Sequence, residues 1–327
     1  MSEELIKRRF DLNVGVMILA GIFIFSILNH EPYMMYILNL AIINMIAVIG
    51  LNIVTGMAGQ LNAGHVAFYG IGAYSSALLT LNLNLSFWMA LPIAAIITSI
   101  FGIFLGIPSI RVGGKYLALV TLGFGEIMRL VFLNSKITKG YSGLTNIPIP
   151  SFFGYRFSDA NSYFYLVFCI LIVCFFVSIK IRYSPLGRAF ISINEDQLAS
   201  ESFGINSAMI KITAFCFAGL FGGLAGSLYA HMLKYVSPDG FIFEGSILFL
   251  TMVIVGGLGT IAGPLVGGAL LTFLPEFLRM FGSFRLIFYG FFILFFVIVM
   301  PRGIIGRFAN IYAKLKIKKL DSLNVKT

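Results

Sequence analysis

Long apolar runs alternate with short polar breaks along this chain, at an interval that fits a hydrocarbon layer. Windows of about 20 residues, the helix length that crosses a bilayer core, fall at 12–29, 34–54, 64–83, 86–108, 116–133, 161–180, 210–231, 244–260, 263–280 and 284–300. The pattern predicts an all-α integral membrane protein of about ten transmembrane helices. Lys7, Arg8 and Arg9 precede the first run, as in a secretory signal. His30, Glu31 and Pro32 follow it where a small-residue cleavage site would have to stand, so it reads as an uncleaved first span.

Basic residues give the spans a direction, because Lys and Arg near span ends stay on the cytoplasmic side. With the N-terminus inside, the outer segments hold Lys136, Lys139, Arg156, Lys234, Arg279 and Arg285, and Arg129 falls within the fifth span. Every other Lys and Arg, from Lys7 to Lys326, lies on an inner segment. Both termini are therefore expected in the cytoplasm, with a basic cytoplasmic tail over 307–327 and one transmembrane domain over 1–327. A chain that is 59% hydrophobic and 11% charged has too little charge to cover a soluble surface. This excludes an ordinary cytoplasmic enzyme, a disordered chain and, despite a net charge of +10, a nucleic-acid-binding domain. Cys169, Cys174 and Cys216 show no CxxC spacing and read as packing or membrane-facing residues.

Four regions depart from plain spans and short turns: 56–73, the outer loop 134–160, the inner loop 181–209, and 255–268. Much of the glycine recurs every fourth residue, as at Gly102 and Gly106 or Gly219 and Gly223, which suits close helix packing. Two clusters predict local unwinding instead. The stretch 56–65 is polar and glycine-rich, and 256–264 sets Gly257, Gly259 and Pro264 between apolar runs. Irregular backbone at membrane depth is tolerated where it is buried in protein or lines a cavity, and such broken helices line solute paths in transporters. The candidate path is Gln60, Asn62, His65, Tyr74, Glu126, Gly257 and Gly259.

Single polar residues leave two readings open. Glu126 and Arg129, three apart, either neutralise each other or line a path; Glu276 and Arg279 repeat the spacing near an outer end. His65 is either hydrogen-bonded structure or a proton relay. No HxxxH or HExxH pair supports a metal centre. Residues 181–209 carry sharper signals. Ser184-Pro185 opens one helix, and Asn194 with Gln197 predicts a second N-terminus, giving a short helix over 195–203 closed by Gly204. Such a helix is marginal alone, so it packs on its own bundle or docks into a partner.

The segments Gly187-Arg188-Ala189, Asn194-Glu195-Asp196, Ala199 and Phe203-Gly204-Ile205-Asn206 resemble the inner-loop signature of branched-chain amino acid ABC transporter permeases, of the LivM-like subunit type. Gly59-Gln60-Leu61, Gly64-His65, Thr121-Leu122-Gly123-Phe124-Gly125-Glu126, Gly256-Gly257-Leu258-Gly259-Thr260 and Pro301-Arg302-Gly303 extend the resemblance over about 40–306. It implies the type II ABC importer permease fold in a prokaryotic inner (plasma) membrane. It also implies a second, LivH-like permease subunit, two ATP-binding subunits that bind ATP and Mg, and an extracytoplasmic solute-binding protein. This chain would bind no cofactor, and it has no GxxxxGK[ST] loop of its own. The cytoplasmic coupling loop would be 181–209, with Arg188, Glu195, Asp196, Ala199 and Gly204 facing the ATPase. The extracytoplasmic loop 134–160, with Lys136, Lys139, Tyr141, Asn146 and Arg156, would either receive the binding protein or be a solvated connector. Asn62-Ala63 departs from the Ser-Leu more usual before Gly-His in relatives, and related permeases carry urea, short amides or sugars. Those solutes remain alternatives to leucine, isoleucine and valine, as does a stand-alone channel or secondary transporter.

Overall fold

A computed structural model describes residues 3–29, 31–300 and 303–324. His30, Pro301, Arg302 and Lys326 lie outside the described residues. Helices form at each predicted span: α1 (Glu3–Leu28), α2 (Pro32–Leu51), α3 (His65–Asn82), α4 (Phe87–Gly106), the single turn α5 (Pro108–Arg111), α6 (Gly114–Asn134) and α7 (Ala160–Tyr183). Two short inner helices follow, α8 (Pro185–Glu195) and α9 (Gln197–Ser202), then α10 (Ser207–Leu233), α11 (Phe243–Gly256), α12 (Gly263–Phe277), α13 (Arg285–Val299) and α14 (Gly303–Asn324). Among the described residues, seven of these segments are long and apolar enough to cross a membrane, while α11 and the apolar part of α13 are shorter.

Helix α2 lies at the heart of the bundle, with 94% of its apolar window buried, and α10 packs along α4, α3 and α2. Lipid tails are as apolar as Leu, so association rests on close packing and on hydrogen bonds between helices. Small residues permit it here: a Cβ on Gly72 would run into the backbone of Gly223, and one on Gly226 into the Tyr69 carbonyl. Contacts sort into two ends. Ser109 meets Lys211 and Asp11 meets Ile261 at the inner end, while Pro148 meets His231 and Tyr33 meets Glu276 at the outer end. Helices α1 and α14 pack together at the inner end, where Phe10 stacks on Tyr312 at 5.0 Å, so the two ends of the described chain share one side.

The outer loop is folded rather than extended. Two two-residue strands, β1 (Leu144–Thr145) and β2 (Ser151–Phe152), pair respectively with β4 (Tyr235–Val236) and β3 (Tyr155–Arg156), both antiparallel. The Trp88 indole N–H donates to the Ser151 carbonyl at 2.7 Å, tying the loop to the start of α4.

Candidate functional site

The first glycine-rich region is a broken helix. Helix α2 widens into a π-helical turn, Asn52–Met57, and regular structure stops until His65. Gly59 takes φ +66°, a conformation that disfavours any side chain. The stretch is pinned against α6: the Ala63 amide donates to the Thr121 hydroxyl at 2.9 Å, and a Cβ on Gly64 would strike the Thr121 carbonyl. The Asn62 side-chain oxygen accepts from the Gly64 amide at 3.1 Å, and the Gln60 amide group donates to the Ala58 carbonyl at 3.1 Å. His65 is fully buried, with Nε2 2.9 Å from the Ala47 carbonyl and the ring edge-on to Phe68 and Phe249. A carbonyl only accepts, so Nε2 carries the proton and Nδ1 is left as a bare acceptor.

Several polar atoms here have no hydrogen-bond partner among the described residues: Gln60 Oε1, Asn62 Nδ2, His65 Nδ1 and the hydroxyls of Tyr69 and Tyr74. Buried polar atoms are rarely left so. Beside them is a narrow cavity of about 20 Å³ lined by Ala63, Val66, Gly125, Glu126, Phe241 and Ser246 among others. That volume holds about one water and no amino acid. Glu126 sits on its wall while making a bidentate pair with Arg129, with contacts of 2.6, 3.0 and 3.1 Å. The mutual neutralisation of Glu126 and Arg129 is thus present in the structure. Tyr74 lies further along α3, stacked on Phe132 at 4.4 Å between ring centroids.

The second glycine-rich region is also broken, between α11 and α12, and Gly257 and Gly259 take φ +131° and +69°. These two candidates are not near Glu126. They lie against the inner side of the first break, where a Cβ on Gly56 would meet the Gly259 amide. Three side chains outside the candidate path hold this region. Asn52 donates to the Thr260 carbonyl at 2.7 Å and accepts from the Gly259 amide at 2.8 Å. Both carboxylate oxygens of Asp11 accept amides at the start of α12, from Ile261 and Ala262, each at 2.8 Å. Arg182 donates to the Gly259 carbonyl. A carboxylate at a helix N-terminus also meets the positive end of the helix dipole. The available signal was Asp11 itself, an acid at the edge of an apolar run.

The inner loop corrects one expectation. The helix placed over 195–203 starts later, as α9: Glu195 still belongs to α8, and Asp196, whose backbone is extended (φ −153°, ψ 110°), separates the two. Asp196, not Asn194, is the N-cap: its carboxylate accepts the Ala199 amide at 3.0 Å. Asn194 instead stays inside α8, with its side chain beside Gly59. The first cap is as expected, with the Ser184 hydroxyl accepting from the Gly187 amide, and Gly204 takes φ +82° after α9. Glu201 accepts from the Ser207 hydroxyl and from the Gln197 amide group at 2.9 Å, which holds its carboxyl below the usual range. Arg188 lies apart from Asp196, its guanidinium 3.4 Å from the Tyr183 carbonyl. Leu198 and Phe203 are 78% and 86% exposed.

Residues 33–300 match the family described as branched-chain amino acid transport system / permease component. The chain is 37% identical over 293 residues to the high-affinity branched-chain amino acid transport system permease protein LivM of Escherichia coli K12, covering 82% of this chain and 69% of that protein. It is 26% identical over 289 residues to LivH of the same organism, covering 79% and 90%, and 24% identical over 250 residues to the ribose import permease RbsC of Haemophilus influenzae, covering 73% and 74%. No solved structure matches it. On the family match and these identities, the chain belongs to the branched-chain amino acid transport system permease family, as a multi-pass protein of the inner membrane.

Proposed function

We propose that this chain is one of two permease subunits of an ATP-driven importer, passing leucine, isoleucine and valine that a solute-binding protein delivers. The family match over residues 33–300 carries this reading. A LivH-like subunit completes the path, and two ATP-binding subunits supply the energy. The solute passes beside the first break, where Asn62 Nδ2, Gln60 Oε1 and His65 Nδ1 offer a zwitterion both donor and acceptors. Opening the bundle there is a rigid-body change driven by the partner subunits. Force enters through α8 and α9, with Leu198 and Phe203 as apolar anchors and Glu195 and Asp196 as the acidic rim. Because Asn194 rests on Gly59, a pull on α8 reaches the first break directly. The binding protein seats on the outer loop, whose β2–β3 tip presents Phe152, Phe153 and Tyr155 to solvent.

Uptake in vesicles reconstituted with both permeases, the ATP-binding subunits and the binding protein tests this. Leucine, isoleucine and valine are expected to compete with one another, and urea and ribose are not. Ribose uptake in their place would overturn the solute while leaving the family intact. Glu195→Arg is expected to leave the complex inserted and to abolish solute-stimulated ATP hydrolysis; unchanged stimulation counts against the coupling surface.

A further inference from the structure

A cavity of about 670 Å³ opens at the inner end, outside the path described above. Its walls come from α1, the end of α7, α8, Thr260 and α14, and its charged lining is Lys7, Arg8, Asp11, Arg182 and Arg188. Asp11 is the one acid among those residues, and both its oxygens are already held by backbone amides. Arg8 lies 3.6 Å over the Tyr183 ring, and Arg182 and Arg188 bond to backbone carbonyls. Among the described residues no carboxylate pairs with Arg8, Arg182 or Arg188. The three guanidinium groups gathered in this cavity repel each other unless an anion joins them.

The surroundings specify the anion. Helix α1 is only 28% buried along its apolar window, so most of its surface faces out of the bundle. Helix α14 buries Ile305, Ala309 and Ala313 against the protein but exposes Phe308, Ile311, Tyr312 and Leu315, a second apolar stripe at helical spacing. With Arg307 and Lys314 beside that stripe, it has the make-up of a helix lying in the interface of an anionic membrane. We propose that the cavity is a headgroup site for an anionic phospholipid of the cytoplasmic leaflet. The guanidinium groups of Arg8, Arg182 and Arg188 hold the phosphate, and the acyl chains lie along the outward faces of α1 and α14. Basic recesses between spans on the cytoplasmic side suit such headgroups. The site does not depend on which solute is carried.

The test is native mass spectrometry of the full chain in mild detergent, with phosphatidylglycerol, cardiolipin and phosphatidylcholine of matched acyl chains. Phosphatidylglycerol and cardiolipin should be retained over phosphatidylcholine, and Arg8→Gln/Arg188→Gln should weaken them about 10- to 30-fold. Arg111→Gln/Lys115→Gln, on the same side but outside the cavity, should change retention less than about twofold. Equal retention of phosphatidylcholine, or equal loss in the two double variants, overturns the proposal. So does displacement of the lipid by millimolar inorganic phosphate, which would mark a site for a soluble anion. Should the arginine variant fail to fold, photocrosslinking decides on the wild-type chain. A phosphatidylglycerol reactive near its glycerol must label peptides around Arg8, Arg188 and Asn310, and labelling spread evenly over the apolar surface refutes the site.

Discussion

The two broken helices touch each other yet are held in opposite ways. Around 257–263 every polar hook is closed: Asn52 uses both ends of its amide group, Asp11 both oxygens, and the Thr260 hydroxyl donates to the Gly257 carbonyl at 2.8 Å. Around 58–65 the backbone is pinned at Thr121, but Gln60, Asn62 and His65 each keep an unpartnered buried atom. Glycine content is alike, so glycine alone does not distinguish a hinge point from a path. What differs is whether the freed polar groups are already satisfied. On the proposed function, the clasped break is the anchor about which helices turn, and the open one keeps hydrogen-bonding capacity for the solute.

The largest effect should follow from opening the clasp. Asp11→Ala leaves the amides of Ile261 and Ala262 without acceptors in a site where both residues are buried. At about 1–3 kcal/mol for each buried unsatisfied group, thermal unfolding of the full chain in lipid nanodiscs should show a loss of about 2–6 kcal/mol. A loss below about 1 kcal/mol would mean that the second break is not clasped. Next come two matched glycines. Gly259→Ala, at φ +69°, sets its Cβ 2.8 Å from the Gly56 carbonyl, while Gly59→Ala, at φ +66°, meets only the exposed Asn194 side chain. Backbone strain of about 1 kcal/mol is common to both, but the clash with backbone adds about 1–3 kcal/mol at Gly259 alone. Equal destabilisation by calorimetry would erase the distinction. Asn62→Leu should be milder still, because it deletes an unpartnered donor while freeing the Gly64 amide. Those changes offset to within about 1 kcal/mol, whereas leucine uptake should fall at least about tenfold if the amide group meets the solute.

Helix positions were legible in the sequence because a span carries its own signal, about 20 apolar residues between breakers. The glycine clusters and the Ser184 and Gly204 caps were legible for the same local reason. Asp11, Asn52 and Arg182 were not, since their partners are backbone groups between 77 and 251 residues away, and no local pattern encodes them. The helix drawn over 195–203 erred because Asn194 and Asp196 are both good caps. Asn194 instead lies against Gly59, and that contact exists only after folding. For the same reason the seven candidate path residues looked like one group but divide between two breaks, the middle of α3 and α6.

The smallest effect concerns the loop that leans on the open break. Hydrogen bonds from Ser207 first, then Gln197, hold the Glu201 carboxyl below its ordinary value of 4.5. A group whose folded value is depressed contributes its stability above the ordinary value and loses it as the pH falls through the lowered one. The difference in unfolding temperature between the wild-type chain and Glu201→Gln should therefore stay flat from about pH 8 to about pH 5 and shrink only below about 4.5. Because Glu201 is fully exposed to solvent in this loop, the shift should be slight and should weaken in high salt. A difference that moved between about pH 5 and 8 would mean that another titrating group, not Glu201, ties α9 to α10.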